Sequence, residues 1–415
     1  MIPARIKSPQ RMPMQDVMRV LVADYWNDPF TAHLVRALAQ RPGLEVTYLS
    51  RFGMDRAVDA LLEGSGVRLL DRFAPMRRWL PFVPYFDVLR WGLQNQLVLL
   101  HYMRRLRPDV VHLQHFGYWT EPLALAFRHR ALGPGGVLIR TVHDVFPHRW
   151  LFRRGRLHRA ERAWLCRVMR AHDHLVVHTE RGAKLLRRYC RAPAVTRIHL
   201  GIAPLRPVAA ARERVFLILG NLRENKNIHG VVAAWQRLPQ ALRRRWTLRI
   251  RGRSPASAQA YRERIEAAIA RDPLGIDYRN GYVSEESFDE LLEGAAYLLL
   301  AYRGFESQSG VVMRAVESST PVICSREAAF TELLDDGVAL FTGTGAAEIA
   351  ATLERAAAEG LAGARARGAA MARIQAANSW ELSAARHEAL YRRLLAGVPA
   401  MAGATGEGGR HASGV

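Results

Sequence analysis

Lysine is nearly missing. Three of the 60 basic residues in this 415-residue chain are lysine (Lys7, Lys184 and Lys226), and the others are arginine. Acidic residues number only 38, which leaves a formal charge of +22. Such an excess points to a negatively charged partner: nucleic acid, an anionic membrane surface or a phosphorylated substrate. Cysteine is scarce too. Cys166, Cys190 and Cys324 stand singly and far apart, which excludes a paired zinc-ligand pattern and predicts free thiols in a reducing, cytosolic setting without a disulfide framework. No apolar run approaches the roughly 20 residues of a membrane-spanning helix. The first sixteen residues, charged and proline-containing, read as a loose leader with no secretory signal.

What is present describes a globular α/β chain. Apolar residues make up 49% and aromatics 8%, enough for a sizeable core, and the length suits two domains. Apolar strand patterns at Val17–Ala23, Leu44–Ser50, Asp109–Leu113, Val137–Val142 and His174–His178 alternate with helical ones. A second series follows at Val215–Leu219, Trp246–Ile250, Ile276–Asn280, Ala296–Ala301, Pro321–Cys324 and Val338–Phe341. Alternation of this kind predicts parallel sheets covered by helices. The expected division is a first domain over 17–205, a second over 214–378, a closing helix over 379–396 and a disordered Gly- and Ala-rich tail over 397–415.

Two basic segments interrupt the rhythm of the first half. Arg72–Phe86 mixes three prolines with Phe73, Trp79, Phe82, Tyr85 and Phe86 among arginines, and reads as a loop that packs on the domain or meets a membrane interface. Arg149–Arg170 carries eight arginines and one glutamate, with Leu157, Trp164, Leu165 and Val168 near one helical face. It fits an amphipathic helix lying on anionic lipid, or a solvated surface helix.

The chemistry concentrates in two stretches. In the first, the apolar run ending at Leu219 meets Gly220, Asn221 and a polar turn, before apolar residues recur at helical spacing from Ile228. That turn sets Arg223 and Lys226 at the mouth of a helix, with Asn227 as its expected N-cap. Helix N-terminal amides and two cations make a diphosphate seat, and a lysine in an arginine-dominated chain suggests that a compact point charge is wanted there. The bland alternative is a strand–helix turn with solvated charges. In the second stretch, a buried strand ends near Ala301. Tyr302, Glu306 and Gln308 follow, and Ser309, Gly310 and Val311 open another helix. Loops at the carboxyl ends of parallel strands line the ligand crevice, so both stretches are expected to face one site.

These residues resemble the glycosyltransferases of the two-Rossmann-domain type, GT-B. Gly220–Arg223 and Lys226–Ile228 are similar to the family's diphosphate-binding loop, and Glu306 matches the first glutamate of a donor-sugar motif in which two glutamates are separated by seven residues. The second glutamate is replaced by Arg314, with Glu317 one turn further on. The pattern Tyr302, Gln308–Gly310, Thr320–Ile323 is closer to a subgroup resembling the β-mannosyltransferases of bacterial exopolysaccharide assembly. Asp109–His115 and Thr141–His148 are similar to the family's acceptor-facing strand ends, and the helix from Trp380, with Tyr391, to its segment crossing back to the first domain.

The resemblance implies two Rossmann-like domains facing a cleft and hexosyl transfer from a nucleotide diphosphate sugar, GDP-mannose being favoured. It implies a lipid-linked or polysaccharide acceptor, and neither a metal nor a cofactor beyond the co-substrate. The implied place is cytoplasmic, peripheral on the inner face of the cell membrane. The catalytic candidates are Asp144 and His143, as general base if the reaction inverts and as holders of donor hydroxyls if it retains. Asn27, Asp28, His115 and Trp119 are the acceptor-side candidates. The alternatives are a retaining transferase using a UDP-hexose and, from another class, a basic nucleic-acid-binding protein. The latter lacks any recognisable nucleic-acid motif, and no nucleic-acid partner is expected.

Overall fold

The computed structural model describes residues 17–53, 56–75, 84–115, 131–132, 135–146, 155–192, 194–206, 212–255, 258–305 and 308–397. Among the described residues, thirteen strands form two sheets, every pairing parallel. The first sheet contains β1 (Met18–Ala23), β2 (Leu44–Ser50), β3 (Arg68–Asp71), β4 (Val110–Leu113), β5 (Val137–Val142), β6 (His174–Val177) and β7 (Val195–Arg197) in the order β3-β2-β1-β4-β5-β6-β7. The second contains β8 (Glu213–Leu219), β9 (Thr247–Gly252), β10 (Ile276–Asn280), β11 (Ala295–Leu300), β12 (Val322–Ser325) and β13 (Ala339–Thr342) in the order β10-β9-β8-β11-β12-β13. Central strands such as β5 and β11 are buried along their whole length, because helices cover both faces of a parallel sheet.

The strand order reverses between β1 and β4 in one sheet and between β8 and β11 in the other. At such switch points the loops on either side diverge and open a crevice. The loops after β1, β4 and β5 and those after β8 and β11 are therefore the ones positioned to bind.

The helix Trp380–Leu395 returns to the first domain, packing on the helix Pro29–Ala39. Its start is pinned to the inter-domain segment: Ile202 and Ser379 form a bridge, and the Ile202 N–H donates to the Asn378 carbonyl at 2.8 Å. Gly201 packs so tightly on Trp380 that a Cβ there would lie 2.2 Å from Cδ2 of the indole.

Several expectations need correction. The segment around residue 84 is not all loop: Pro84 begins a helix running to Leu106, since proline is tolerated in a first helical turn. Phe73 is buried in the core, while residues 76–83, with Trp79 and Phe82, lie outside the described residues. In the helix Gly155–Arg170, Leu165, Val168 and Met169 face inward but Leu157 is 60% exposed. Cys166 and Cys190, expected as separate thiols, form a disulfide with their Cα atoms 4.5 Å apart. The chain between them folds back so that the helix holding Cys166 meets the turn Leu186–Cys190. The expected tail from residue 398 onward lies outside the described residues. Among the described residues, no helix is long and apolar enough to cross a membrane.

Candidate functional site

A cavity of about 760 Å³ lies between the two domains. One wall comes from the loops after β8, β9, β10 and β11; the other holds Asp28, His143 and Asp144. The two stretches singled out in the second domain are joined directly, the Arg303 N–H donating to the Asn225 carbonyl at 2.8 Å. A third loop locks them, because the Arg303 guanidinium and the Asn227 amide both donate to the Thr344 carbonyl, at 2.8 and 3.0 Å.

Local conformation explains the cation placement. The chain leaves β8 through Gly220 at φ +95°, a left-handed geometry that glycine adopts without a Cβ clash. Gly252, at the end of β9, crosses so close that a Cβ would lie 1.9 Å from the Gly220 carbonyl oxygen. A short 3₁₀ turn, Glu224–Lys226, then carries Lys226 back over Gly220. Its Nζ donates to the Leu219 carbonyl at 3.2 Å and lies 5.3 Å from the centre of the Tyr302 ring. Burial, helped by the nearby Arg223 charge, lowers the Lys226 pKa to about 8. Arg223 remains exposed at the mouth. Asn227 is not a side-chain cap: at φ +55° its side chain turns away to Thr344 and over Gly230.

On the β11 side, Tyr302, Gln308, Ser309, Gly310 and Val311 all line the cavity, as do Gly220 and Asn221 across from them. The amides at the start of the helix Gly310–Glu317 have no side-chain cap, which leaves the positive end of that helix at the cavity wall. Gly310 meets the opposite domain, where a Cβ would come within 2.7 Å of the Phe30 ring. Gln308 has structural duties as well: it accepts from the Leu200 N–H at 2.7 Å and its amide nitrogen contacts His199 Nδ1 at 2.6 Å.

Arg314 and Glu317 do not line this cavity. The Arg314 guanidinium is engaged by Glu285 at 2.5 Å and by Asp289, and lies over the Phe288 ring at 4.1 Å. The Glu317 carboxylate accepts from the Ala203 N–H at 3.1 Å and faces Arg206; burial raises its pKa. Both side chains spread over the flank of their helix, toward a neighbouring helix and the inter-domain segment, whereas the cavity sits at the helix's N-terminal end. The expectation that they touch the donor is therefore corrected. Glu306 and Trp119 lie outside the described residues.

In the first domain, Asp28 caps the helix Pro29–Ala39, accepting from the Phe30 N–H at 2.9 Å, and still borders the cavity. Burial raises its carboxyl pKa against the opposing pull of His115. His143 and Asp144 leave β5 at the cavity edge. Asn27 and His115, expected on the acceptor side, lie behind the wall instead. The buried Asn27 amide donates to Asp59 at 3.1 Å. The His115 ring stacks on His143 with centroids 4.0 Å apart, and its Nδ1 lies 3.4 Å from the buried Asp24 carboxylate.

Comparison with known proteins agrees with this geometry. Residues 30–206 match the family described as Glycosyltransferase Family 4, and residues 213–359 match Glycosyl transferases group 1. The chain belongs to the GT-B glycosyltransferases. Comparison with curated proteins gives no match. Solved structures similar in fold include sucrose-phosphate synthase from Thermosynechococcus elongatus, 18% identical with a TM-score of 0.69 over 92% of this chain and 100% of that one. Anabaena HepE in complex with UDP and glucose is 13% identical, TM-score 0.65, over 90% and 98%. An α,α-trehalose-phosphate synthase (UDP-forming) from Burkholderia xenovorans, in complex with glucose-6-phosphate, is 15% identical, TM-score 0.61, over 90% and 100%.

Sequence reading of this GT-B transferase missed Glu285, Arg253 and Tyr282, which border the same cavity. Each follows the end of β9 or β10 by a few residues. Position after a parallel strand is the signal that finds them.

Proposed function

We propose that the protein transfers a hexosyl group from a nucleoside diphosphate sugar to a hydroxyl of a lipid-linked or polysaccharide acceptor. The observation that carries this reading is the junction of the Asn225 and Arg303 loops around one cavity. It sets two cations and a helix N-terminus on one wall and Asp28, His143 and Asp144 on the other. In the reaction, the acceptor oxygen bonds to the anomeric carbon as the bond from that carbon to the diphosphate oxygen breaks. The leaving diphosphate takes the electron pair. Arg223, Lys226 and the amides of Gly310 and Val311 stabilise the charge that grows on it. This assigns to protein cations the work a metal ion would otherwise do. The acceptor proton passes to Asp144 or His143 if the product is inverted. If configuration is retained, the same pair holds donor hydroxyls.

GDP-mannose is the donor implied by the motif resemblance, and a UDP-hexose is the donor suggested by the ligands named for neighbours of similar fold. Contact with an anionic membrane surface is supported by the +22 charge and by exposed leucines on two helices. Leu89, Leu93 and Leu97 recur every fourth residue on one helix, and Leu157 projects from another.

A thermal-shift panel of nucleoside diphosphates tests the reading, with a rise in Tm expected for GDP or UDP. No response to any of them would sink it. Labelled nucleotide sugars incubated with a lipid extract then identify the sugar and the acceptor.

A further inference from the structure

Behind the wall that carries His143, a row of polar side chains runs through the first domain to the closing helix. Tyr391 Oη lies 2.7 Å from His112 Nδ1. His112 Nε2 lies 2.7 Å from Thr141 Oγ1 and 3.2 Å from Gln114 Nε2. Gln114 Oε1 lies 3.3 Å from His143 Nε2. Tyr391 and His112 are fully buried, and Thr141 and Gln114 nearly so. Strand spacing builds the row: His112 and Gln114 are two residues apart along β4 and its exit, as are Thr141 and His143 along β5 and its exit, so all four share one face. The closing helix covers that face.

The nitrogens in this row are not independent. A neutral imidazole has one N–H and one lone pair. With the Gln114 amide donating to His112 Nε2, the His112 proton sits on Nδ1 and is donated to the Tyr391 oxygen. The carbonyl end of the same amide accepts the N–H of His143 Nε2, which leaves the His143 lone pair on Nδ1. Turning the Gln114 amide over reverses every assignment together: Tyr391 then donates to His112 Nδ1, and the His143 lone pair moves to Nε2. Gln114 is thus a two-position part, with the Tyr391 hydroxyl at its far end.

We infer that Gln114, His112 and Tyr391 form a positioning chain that sets which ring nitrogen of His143 accepts a proton at the cleft, and so ties that group to the seating of the closing helix. The catalytic meaning of this chain rests on the transfer reaction proposed above.

The surroundings of His143 make the tautomer matter. Asp24, fully buried and accepting the Trp26 and Asp28 N–H groups at 3.0 and 3.1 Å, faces His115. Burial works against a charged His115, but the Asp24 carboxylate outweighs it and raises the pKa. Burial first, and then the His115 ring stacked above it, push His143 well down, with His178, Arg140 and His112 acting the same way. Asp144 stands beside it, and Asp28, Arg223 and Lys226 face the same cavity. Kept neutral, His143 offers one lone pair, and the chain decides where.

Nitrogen-15 NMR of histidine-labelled full-length protein reads the tautomers without any need for turnover. The wild type is expected to hold His143 as the Nε2–H form. Tyr391→Phe and Gln114→Leu are expected to give a mixture of tautomers. Gln114→Glu, which only accepts, is expected to keep Nε2–H on His143 and to raise its pKa. In transfer assays Tyr391→Phe should lower kcat several-fold with the donor KM unchanged, and Gln114→Glu should shift the acidic limb of the pH profile upward. An unchanged His143 tautomer in both Tyr391→Phe and Gln114→Leu would overturn the inference. Tautomer shifts as expected in a protein that transfers no sugar would uphold the chain and remove the transferase reading alone.

Discussion

Arg314 grips Glu285 across two helices, its Nη1 2.5 Å from the Glu285 carboxylate. Three further contacts hold the grip in place: the Glu285 carbonyl, the Asp289 carboxylate and the Phe288 ring. Where the motif that the chain resembles has its second glutamate, the chain has Arg314, a cation that fixes a carboxylate from the start of the helix Glu285–Gly294 at the cavity. A carboxylate at the end of a parallel strand is the usual acceptor for ribose hydroxyls in nucleotide sites. Glu285→Gln is therefore expected to weaken nucleoside diphosphate binding by about tenfold or more, the worth of a charge-assisted hydrogen bond, and to leave the 2′,3′-dideoxy analogue unaffected. Calorimetric titration with both ligands checks this; an equal loss for the two would remove Glu285 from the ribose site.

Lys226 gives the site a pH signature. Its pKa of about 8 means that the ammonium is present below that pH and lost above it in the unliganded protein. A bound diphosphate favours the charged form. Binding at pH 8.5 is accordingly expected to take up protons, and affinity to fall as pH rises through 8. Titrations in buffers of different ionisation enthalpy measure the uptake. Lys226→Arg, always charged, should abolish it; zero uptake by the wild type would refute the assignment.

Asp144 stands exposed at the cavity edge beside His143. As the general base of an inverting transfer, it is expected to supply about 10²–10⁴-fold of the rate. Asp144→Asn should lower kcat by that order while donor KM changes little. Near-normal turnover would assign the proton to His143 or point to retention, which product anomer analysis resolves.

What sequence reading could reach follows from where information lies along the chain. Central strands announce themselves as continuous apolar runs because both of their faces are covered. The edge strands β3 and β7 escaped it: Arg68–Asp71 is mostly exposed and Val195–Arg197 is three residues long. Cations at Arg223 and Lys226 were legible because a strand, a glycine and a helix bracket them. Arg314 and Glu317 were misplaced because helical spacing puts them on one flank without saying which flank meets the cavity. Glu285 and the Asp24–His115 pair were invisible, since each acquires its role from a partner brought close only by folding.

The link between Cys166 and Cys190 is such a partnership, and it has a stability consequence. With a sequence separation of 24, the chain-entropy relation gives about 3.5 kcal/mol. Intact-mass analysis after alkylation under non-reducing conditions should show Cys324 as the one reducible-independent thiol, and it should label only on unfolding because it is buried. Reduction, or Cys166→Ser with Cys190→Ser, should lower the denaturation midpoint. Three alkylated thiols without reductant would restore the expectation of free cysteines.

The seating of the closing helix depends on a missing side chain. Gly201 lies against the Trp380 indole, where a Cβ would come within 2.2 Å of Cδ2 and 2.4 Å of Cε3. Trp380 cannot retreat freely, because its other side stacks on His33 with ring centroids 5.4 Å apart and planes 7° from parallel. Gly201→Ala is therefore expected to cost about 1–3 kcal/mol by overpacking. Trp380→Ala alone should cost about 3–5 kcal/mol through the lost aromatic. Because the alanine methyl fits once the indole is gone, the double variant should be more stable than the sum of the two losses predicts. Denaturant titrations of the four proteins measure that coupling. Strict additivity would mean that Gly201 and Trp380 do not meet in solution and that the helix crosses back by another route.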